Sequence, residues 1–198
     1  GDLSWEPVKS LADCTIYDHT CQEQVAERAR EADGILINKV YITREVLDEL
    51  PRLKYIGELA TGYNNIDLEA ARERGIVVCN IPAYSTDSVA QHVFALLLNV
   101  ATRADHYARA VRQGEWSRQR DFCYWDTPLI ELAGKTIGIV GLGNIGQRVA
   151  HIAHAMGMDI SACTSRNSSD LPEWIRKTTL EGLLSTSDVI TLHCPLTA

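Results

Sequence analysis

The chain has 198 residues, enough for one or two domains. Hydrophobic residues make up 45% of it and the formal net charge is −7, which supplies a packed core and argues against nucleic-acid or anionic-membrane partners. No run approaches ~18 consecutive apolar residues, no signal peptide is legible, and the six cysteines show neither CxxC nor metal-ligand spacing, so we expect no membrane span, no metal and a reducing, cytoplasmic compartment.

In chain order, Gly34–Asn38 is an apolar run with strand character. Thr43–Leu50 has helical spacing, with Thr43 placed to cap it and Pro51 to stop it. Leu53–Leu59 reads as a second strand, Asp67–Arg74 as a helix closed by Gly75, and Ile76–Cys79 as a third strand. This β-α-β-α-β rhythm predicts a parallel sheet covered by helices. Val89, Val93, Leu96, Leu97, Val100, Tyr107 and Val111 then recur near 3.6 spacing, which predicts one long helix over Ser88–Arg112, ended by Gly114. Glu115–Ala133 has weak periodicity and the aromatics Trp116, Phe122, Tyr124 and Trp125; it is expected as an extended, partly buried arm. The rhythm restarts with strand Thr136–Val140, helix Asn144–Met156, strand Ile160–Thr164, short helix Leu180–Leu184 and strand Val189–His193. The expected fold is α/β, with two Rossmann-like or flavodoxin-like domains at 1–87 and 88–198, both incomplete within this chain.

The most informative stretch is Lys135–Gly146, KTIGIVGLGNIG. Gly141-x-Gly143-x-x-Gly146 follows an apolar strand and opens an apolar-periodic helix. The first glycine permits a tight turn, the second admits a pyrophosphate against bare backbone, and the third lets helix and strand pack closely. The amides of Asn144 and Ile145 then face the phosphates at a helix N-terminus. This is a dinucleotide site in context, not an isolated glycine pattern. The end of the next strand selects the cofactor. NAD proteins usually carry an acidic residue there for the ribose 2′-hydroxyl. Here the stretch is Cys163-Thr164-Ser165-Arg166, with no carboxylate before Asp170. Arg166 can grip a 2′-phosphate, with Thr164 and Ser165 adding hydroxyls, so NADP is expected as the preferred cofactor and NAD as the other possibility. His193-Cys194-Pro195 ends the last strand and should also face the cofactor, with Pro195 fixing the turn. His193 is read as structural, since nothing nearby in sequence supplies a carboxylate partner.

Ala60-Thr61-Gly62-Tyr63-Asn64-Asn65-Ile66-Asp67 follows a strand and can form a concave turn whose free amides bind a carboxylate or keto oxygen; turns of this composition are also common without a ligand.

Taken together, TGYNNIDLEAARERGIVVCNIPAYSTDSVAQH, ELAGKTIGIVGLGNIGQRVA and DVITLHCPLT resemble the D-isomer-specific 2-hydroxyacid dehydrogenase family along nearly the whole chain. The arm DFCYWDTPLIELAGKT is most similar to the hydroxypyruvate reductase/glycerate dehydrogenase branch, and Thr164-Ser165-Arg166 to its NADPH-using members. The resemblance implies hydride transfer between NAD(P)H and a small 2-keto or 2-hydroxy acid: hydroxypyruvate/D-glycerate or glyoxylate/glycolate. It implies that Thr61 and Gly62 hold the substrate carboxylate, and that Ser88 and Val89 lie near the nicotinamide. It further assigns the pyrophosphate to Asn144 and Ile145, and the adenosine side to Cys194 and Pro195. Gln91 stands where the family has Glu, at a helix start and without mechanistic loss. The family's catalytic Arg, Glu and His have no counterpart before Ala198. The chain is therefore expected to be part of a protein of ~310–330 residues and inactive alone. A homodimer is expected through Ser88–Arg112 and the aromatics of Trp116–Trp125. Two alternatives stand beside this reading: a family member acting on phosphoglycerate, D-lactate, formate or phosphite, and a non-enzymatic dinucleotide-binding protein resembling a corepressor.

Overall fold

The computed structural model describes residues 3–194. The chain divides into two compact units, Gly1–Pro82 and Ala83–Ala198, ahead of the boundary expected at 87/88.

In the first unit, α1 (Glu6–Lys9) and α2 (Val25–Ala29) precede β1 (Gly34–Ile37), α3 (Arg44–Asp48), β2 (Tyr55–Glu58), α4 (Leu68–Glu73) and β3 (Val77–Cys79). The strands form a parallel sheet in the order β1-β2-β3, with Ile35 level with Ile56 and Ile56 level with Val78. The caps match the residues that suggested them. Thr43 Oγ1 accepts the Val46 N–H at 3.4 Å, the Asp67 carboxylate accepts the Ala70 N–H at 2.8 Å, and Gly75 follows α4 at φ +68°. Ile42, Leu47, Ile56, Ala70 and Ala71 close the core. Each large side chain there contributes about 1.5–3 kcal/mol by leaving water.

The second unit holds α5 (Thr86–Thr102), α6 (Ala104–Arg112), β4 (Thr136–Val140), α7 (Asn144–Ala155), β5 (Asp159–Cys163), β6 (Ile175–Lys177), α8 (Leu180–Thr186) and β7 (Val189–Leu192). All its strand pairs are parallel, in the order β6-β5-β4-β7. Numbered within the unit this is 3-2-1-4, the half-Rossmann order, with its reversal between β4 and β7. Ile137 and Ile139 of β4 meet Val149, Ala150 and Ala153 of α7 in a core completed by Ala90 and Phe94 of α5. Arg148 of α7 pairs with Asp87 in the first turn of α5 at 2.8 Å, tying together the starts of these two helices.

Two expectations are corrected. The long helix is two, α5 and α6, separated by Arg103 in left-handed backbone (φ 53°, ψ 37°). At the break the Asn99 Oδ1 accepts the Asp105 N–H at 3.2 Å and so caps the second helix. The apolar spacing continues across the break and so conceals it. The segment after α6 has a single short 3-10 turn, Trp116–Arg118; Tyr124 is half-buried, as expected of a partly buried arm, while Phe122 is 89% and Trp125 71% exposed. Finally, α1, α2 and β6 had no clear signal. β6 has three residues of which only Ile175 is buried, too few to show a period of two.

Candidate functional site

The glycine loop lies at the reversal point of the second sheet. The Gly141 N–H donates to the Cys163 carbonyl at 2.9 Å and the His193 N–H to the Val140 carbonyl at 2.7 Å, so the ends of β5, β4 and β7 converge there. Gly141 turns at φ +89°, and a Cβ on it would lie 2.6 Å from the His193 carbonyl oxygen. A Cβ on Gly146 would lie 2.1 Å from the Gly141 carbonyl oxygen. Both glycines are required by the fold. Gly143 differs: it is extended (φ −76°, ψ −159°) and a Cβ would meet nothing within 4 Å. Open space over bare backbone is what a pyrophosphate needs. Gly143 caps α7 without any side-chain hydrogen bond, and the first helical bond runs from the Gln147 N–H to the Gly143 carbonyl at 2.9 Å. The amides of Asn144, Ile145 and Gly146 precede that bond and have no helical acceptor. They present donors and the positive end of a twelve-residue helix to the space above Gly143. The residues therefore fit a dinucleotide pyrophosphate.

Around this loop stand the other expected contacts. Cys194 is exposed just past β7; Pro195 lies outside the described residues. Thr164, Ser165 and Arg166 follow β5, and the Arg166 N–H donates to Thr164 Oγ1 at 3.2 Å, folding the turn on itself. The Arg166 guanidinium is exposed and has no carboxylate partner among the described residues. Lys177, which the sequence did not single out, ends the neighbouring strand β6 and donates from Nζ to the Arg166 carbonyl. Two cations thus flank the end of β5, where an acidic residue would favour an unphosphorylated ribose. Val89 lies in the first turns of α5, beside the helix that carries the glycine loop. His193 Nε2 is 2.8 Å from Thr191 Oγ1, and partial burial pushes its pKa below the usual imidazole range. A ring with a hydroxyl partner and no carboxylate partner among the described residues fits a structural role.

In the first unit, the Ala60–Asp67 segment runs from the carboxyl end of β2 to the start of α4. Thr61 and Gly62 are exposed, and their N–H groups have no acceptor among the described residues. Residues outside the turn hold it, Asn80, Glu58 and Val40 among them. Asn80 Nδ2 donates to the Thr61 carbonyl at 2.8 Å. Glu58, the last residue of β2 and almost fully buried, accepts from Asn65 Nδ2 at 2.8 Å. The same Asn65 amide donates to the Val40 carbonyl at 2.9 Å, linking the loops that follow β1 and β2. Buried polar groups of this kind cost stability unless bonded, and here they are bonded to each other. Asn80 and Glu58 belong to no motif with a chemical reading of its own, so the sequence alone does not single them out.

Beyond α6, His106 Nε2 and the Asp126 carboxylate pair at 2.7 Å, and the Asp126 N–H donates to the Tyr107 hydroxyl at 3.2 Å. The His106 hydrogen bond holds the Asp126 carboxyl below the usual carboxylate range. No group of three or more metal-ligating side chains occurs among the described residues, and none of their helices is long and apolar enough to cross a membrane.

Residues 3–189 match the family model described as "D-isomer specific 2-hydroxyacid dehydrogenase, catalytic domain". The chain is 44% identical over 200 residues to a hydroxypyruvate reductase of Blautia hydrogenotrophica, covering 99% of this chain and 62% of that protein. Among solved structures it resembles an acyclic imino acid reductase in complex with NADPH and D-Arg (TM-score 0.82, 32% identity, 99% of this chain and 62% of that one). It also resembles D-lactate dehydrogenase from Aquifex aeolicus complexed with NAD and lactic acid (TM-score 0.79, 32% identity, 98% of this chain and 57% of that one). The chain thus spans about three fifths of the length of the hydroxypyruvate reductase relative.

Proposed function

The chain belongs to the D-isomer specific 2-hydroxyacid dehydrogenase family, and from that premise we propose that its gene product transfers a hydride between NADPH and hydroxypyruvate or glyoxylate. The observation that carries this reading is the presence, in one chain, of an open Gly143 cradle and of a Thr61–Gly62 turn whose two amides have no acceptor among the described residues. Gly141, Gly143, Asn144, Ile145 and Gly146 would hold the pyrophosphate, Val89 would lie beside the nicotinamide, and Cys194 and Pro195 would line the adenosine side. When bound, the nicotinamide supplies the hydride; the protein supplies placement and charge. Thr61 and Gly62 would hold the substrate carboxylate with amides directed at its oxygens, a contact strengthened by the charge of the acceptor. Arg166, with Thr164 and Ser165, would bind the ribose 2′-phosphate through a planar fork, and Lys177 adds a second positive charge. The hydroxypyruvate reductase relative supports the substrate class, and the two structural neighbours, one with NADPH and one with NAD, show that this fold accommodates either cofactor. A homodimer is part of the same reading, supported by exposed Leu96, Val100, Val111, Trp116, Phe122 and Trp125.

A second reading rests on Lys39. It follows β1 at φ +61°, one strand over from the Thr61 turn, and is exposed. A cation held there in unusual backbone suits a substrate with a second acidic group, such as phosphoglycerate. The deciding experiment is kcat/KM for the full-length gene product on hydroxypyruvate, glyoxylate, 3-phosphohydroxypyruvate and pyruvate, each with NADPH and NADH. The first reading expects hydroxypyruvate or glyoxylate with NADPH to lead. A lead for the phosphorylated acid would replace it with the second, and no turnover of any would sink both.

A further inference from the structure

The turn Ala60–Gly62 is stapled to the segment after β3. The Ile81 N–H donates to the Ala60 carbonyl at 3.0 Å, Asn80 Nδ2 donates to the Thr61 carbonyl at 2.8 Å, and Thr61 Oγ1 donates to the Ile81 carbonyl at 3.0 Å. The described peptide bonds are trans. In a planar trans peptide, the C=O of one residue and the N–H of the next point in opposite directions. The bond on the Ala60 carbonyl therefore sets the direction of the Thr61 N–H, and the bond on the Thr61 carbonyl sets that of the Gly62 N–H. Both amides are turned away from residues 80–81.

The two links differ in security. The Ala60 carbonyl is held by a backbone N–H, which no substitution short of proline at position 81 removes. The Thr61 carbonyl has one described donor, the side chain of Asn80. The Thr61–Gly62 peptide is also the easier one to rotate, because Gly62 lacks a Cβ and tolerates most backbone angles. Rotated by half a turn, it would present a carbonyl oxygen where a donor is needed, and an incoming carboxylate would meet repulsion.

We propose that Asn80 is a positioning residue for the 2-keto acid: its side-chain amide holds the Thr61 carbonyl and so aims the Gly62 N–H at the substrate carboxylate. This rests on the reading of the Thr61–Gly62 turn as the carboxylate site. It assigns Asn80 no contact with substrate. Its effect falls on carboxylate binding and leaves the dinucleotide loop, in the other unit, untouched.

The test uses the full-length gene product with Asn80→Ala and Asn80→Asp. Asn80→Ala removes the donor; Asn80→Asp keeps the shape but turns an oxygen toward the Thr61 carbonyl. Steady-state KM for hydroxypyruvate and for NADPH, the calorimetric Kd for oxamate (an unreactive 2-keto acid analogue) with NADPH present, and the thermal midpoint are measured together. Loss of a well-aimed bond to a charged group predicts hydroxypyruvate KM and oxamate Kd raised about tenfold or more in both variants. The KM for NADPH should stay within about twofold of wild type. Folded variants that bind oxamate as wild type does overturn the role of Asn80 and leave the carboxylate reading standing. A fall in thermal midpoint with both KM values rising together would show a merely structural residue and also overturn it. A wild-type protein that binds no oxamate and reduces no 2-keto acid overturns the carboxylate reading, and this inference with it.

Discussion

Substituting Gly143 and Gly146 by alanine should separate ligand binding from folding within one loop. At Gly146 the new Cβ would lie 2.1 Å from the Gly141 carbonyl oxygen and 3.3 Å from Ile139 Cγ2, against backbone and a buried strand. Overpacking of that kind costs about 1–3 kcal/mol, or more where backbone must move. Gly146→Ala should therefore lower the thermal midpoint of its unit by about 4 °C or more. At Gly143 the Cβ would meet nothing within 4 Å, in backbone that alanine adopts freely. Alanine is a poorer N-cap than glycine by about 0.5–1 kcal/mol. It also removes unfolded-chain freedom worth about 0.4–1 kcal/mol, so the two effects nearly cancel. Gly143→Ala should keep its midpoint and lose cofactor. Its methyl would stand between the pyrophosphate and the Asn144 and Ile145 amides, each such bond to a charged group being worth about 1.5–3 kcal/mol. The Kd for NADPH should rise at least tenfold, and by about a hundredfold or more if both bonds fail. Calorimetric titration with NADPH and thermal unfolding without it read the two effects separately. A Gly143→Ala protein that binds NADPH at wild-type affinity would refute the placement of the pyrophosphate over Gly143.

Arg166→Ala should lower kcat/KM for NADPH by about 10–100-fold and leave NADH little changed, with Lys177→Met giving a smaller shift in the same direction; equal losses with both cofactors would remove the 2′-phosphate from this corner. The Asp126 carboxyl is held low in the folded protein, so its contribution is present above the unfolded value, about 3.9, and is lost as pH falls through the lower folded value. Tryptophan fluorescence followed from pH 6 downward should show a transition below about pH 4 that Asp126→Asn lacks; identical profiles would disconnect the His106–Asp126 pair from the packing of the segment. Phe122→Ser with Trp125→Ser should convert the full-length protein from a dimer to a monomer by light scattering, and a wild-type mass of one subunit would end the dimer proposal.

What was legible in the sequence follows from how each feature is encoded. The strands β1 to β5 and β7 are short apolar runs, and that local signal places them within one or two residues. Thr43, Asp67 and Gly75 announce their helix ends because capping chemistry is local. The glycine loop is legible for the same reason: spacing alone assigns a turn, a cradle and a packing contact. The rest depends on partners distant in sequence. Asn80 reaches back nineteen residues to Thr61. Lys177 reaches eleven to Arg166. At the split of the long helix at Arg103, the second helix is capped at Asp105 by an asparagine side chain six residues back, inside an unbroken apolar stripe. Such residues carry no local pattern, and only the folded backbone shows what they hold.

Each unit has its own buried cluster, one around Ile42, Ile56 and Ala70, the other around Ile137, Ile139 and Ala150. Cooperativity is a property of a shared core, so two separate clusters predict two cooperative blocks. A dinucleotide that engages only the glycine loop then stabilises one block, by about 2.7 kcal/mol at a concentration of 100 Kd, and leaves the other where it was. A calorimetric scan should resolve into two transitions that NADPH pulls apart. The one that stays put belongs to the block carrying Thr61 and Gly62, and oxamate alone should move it.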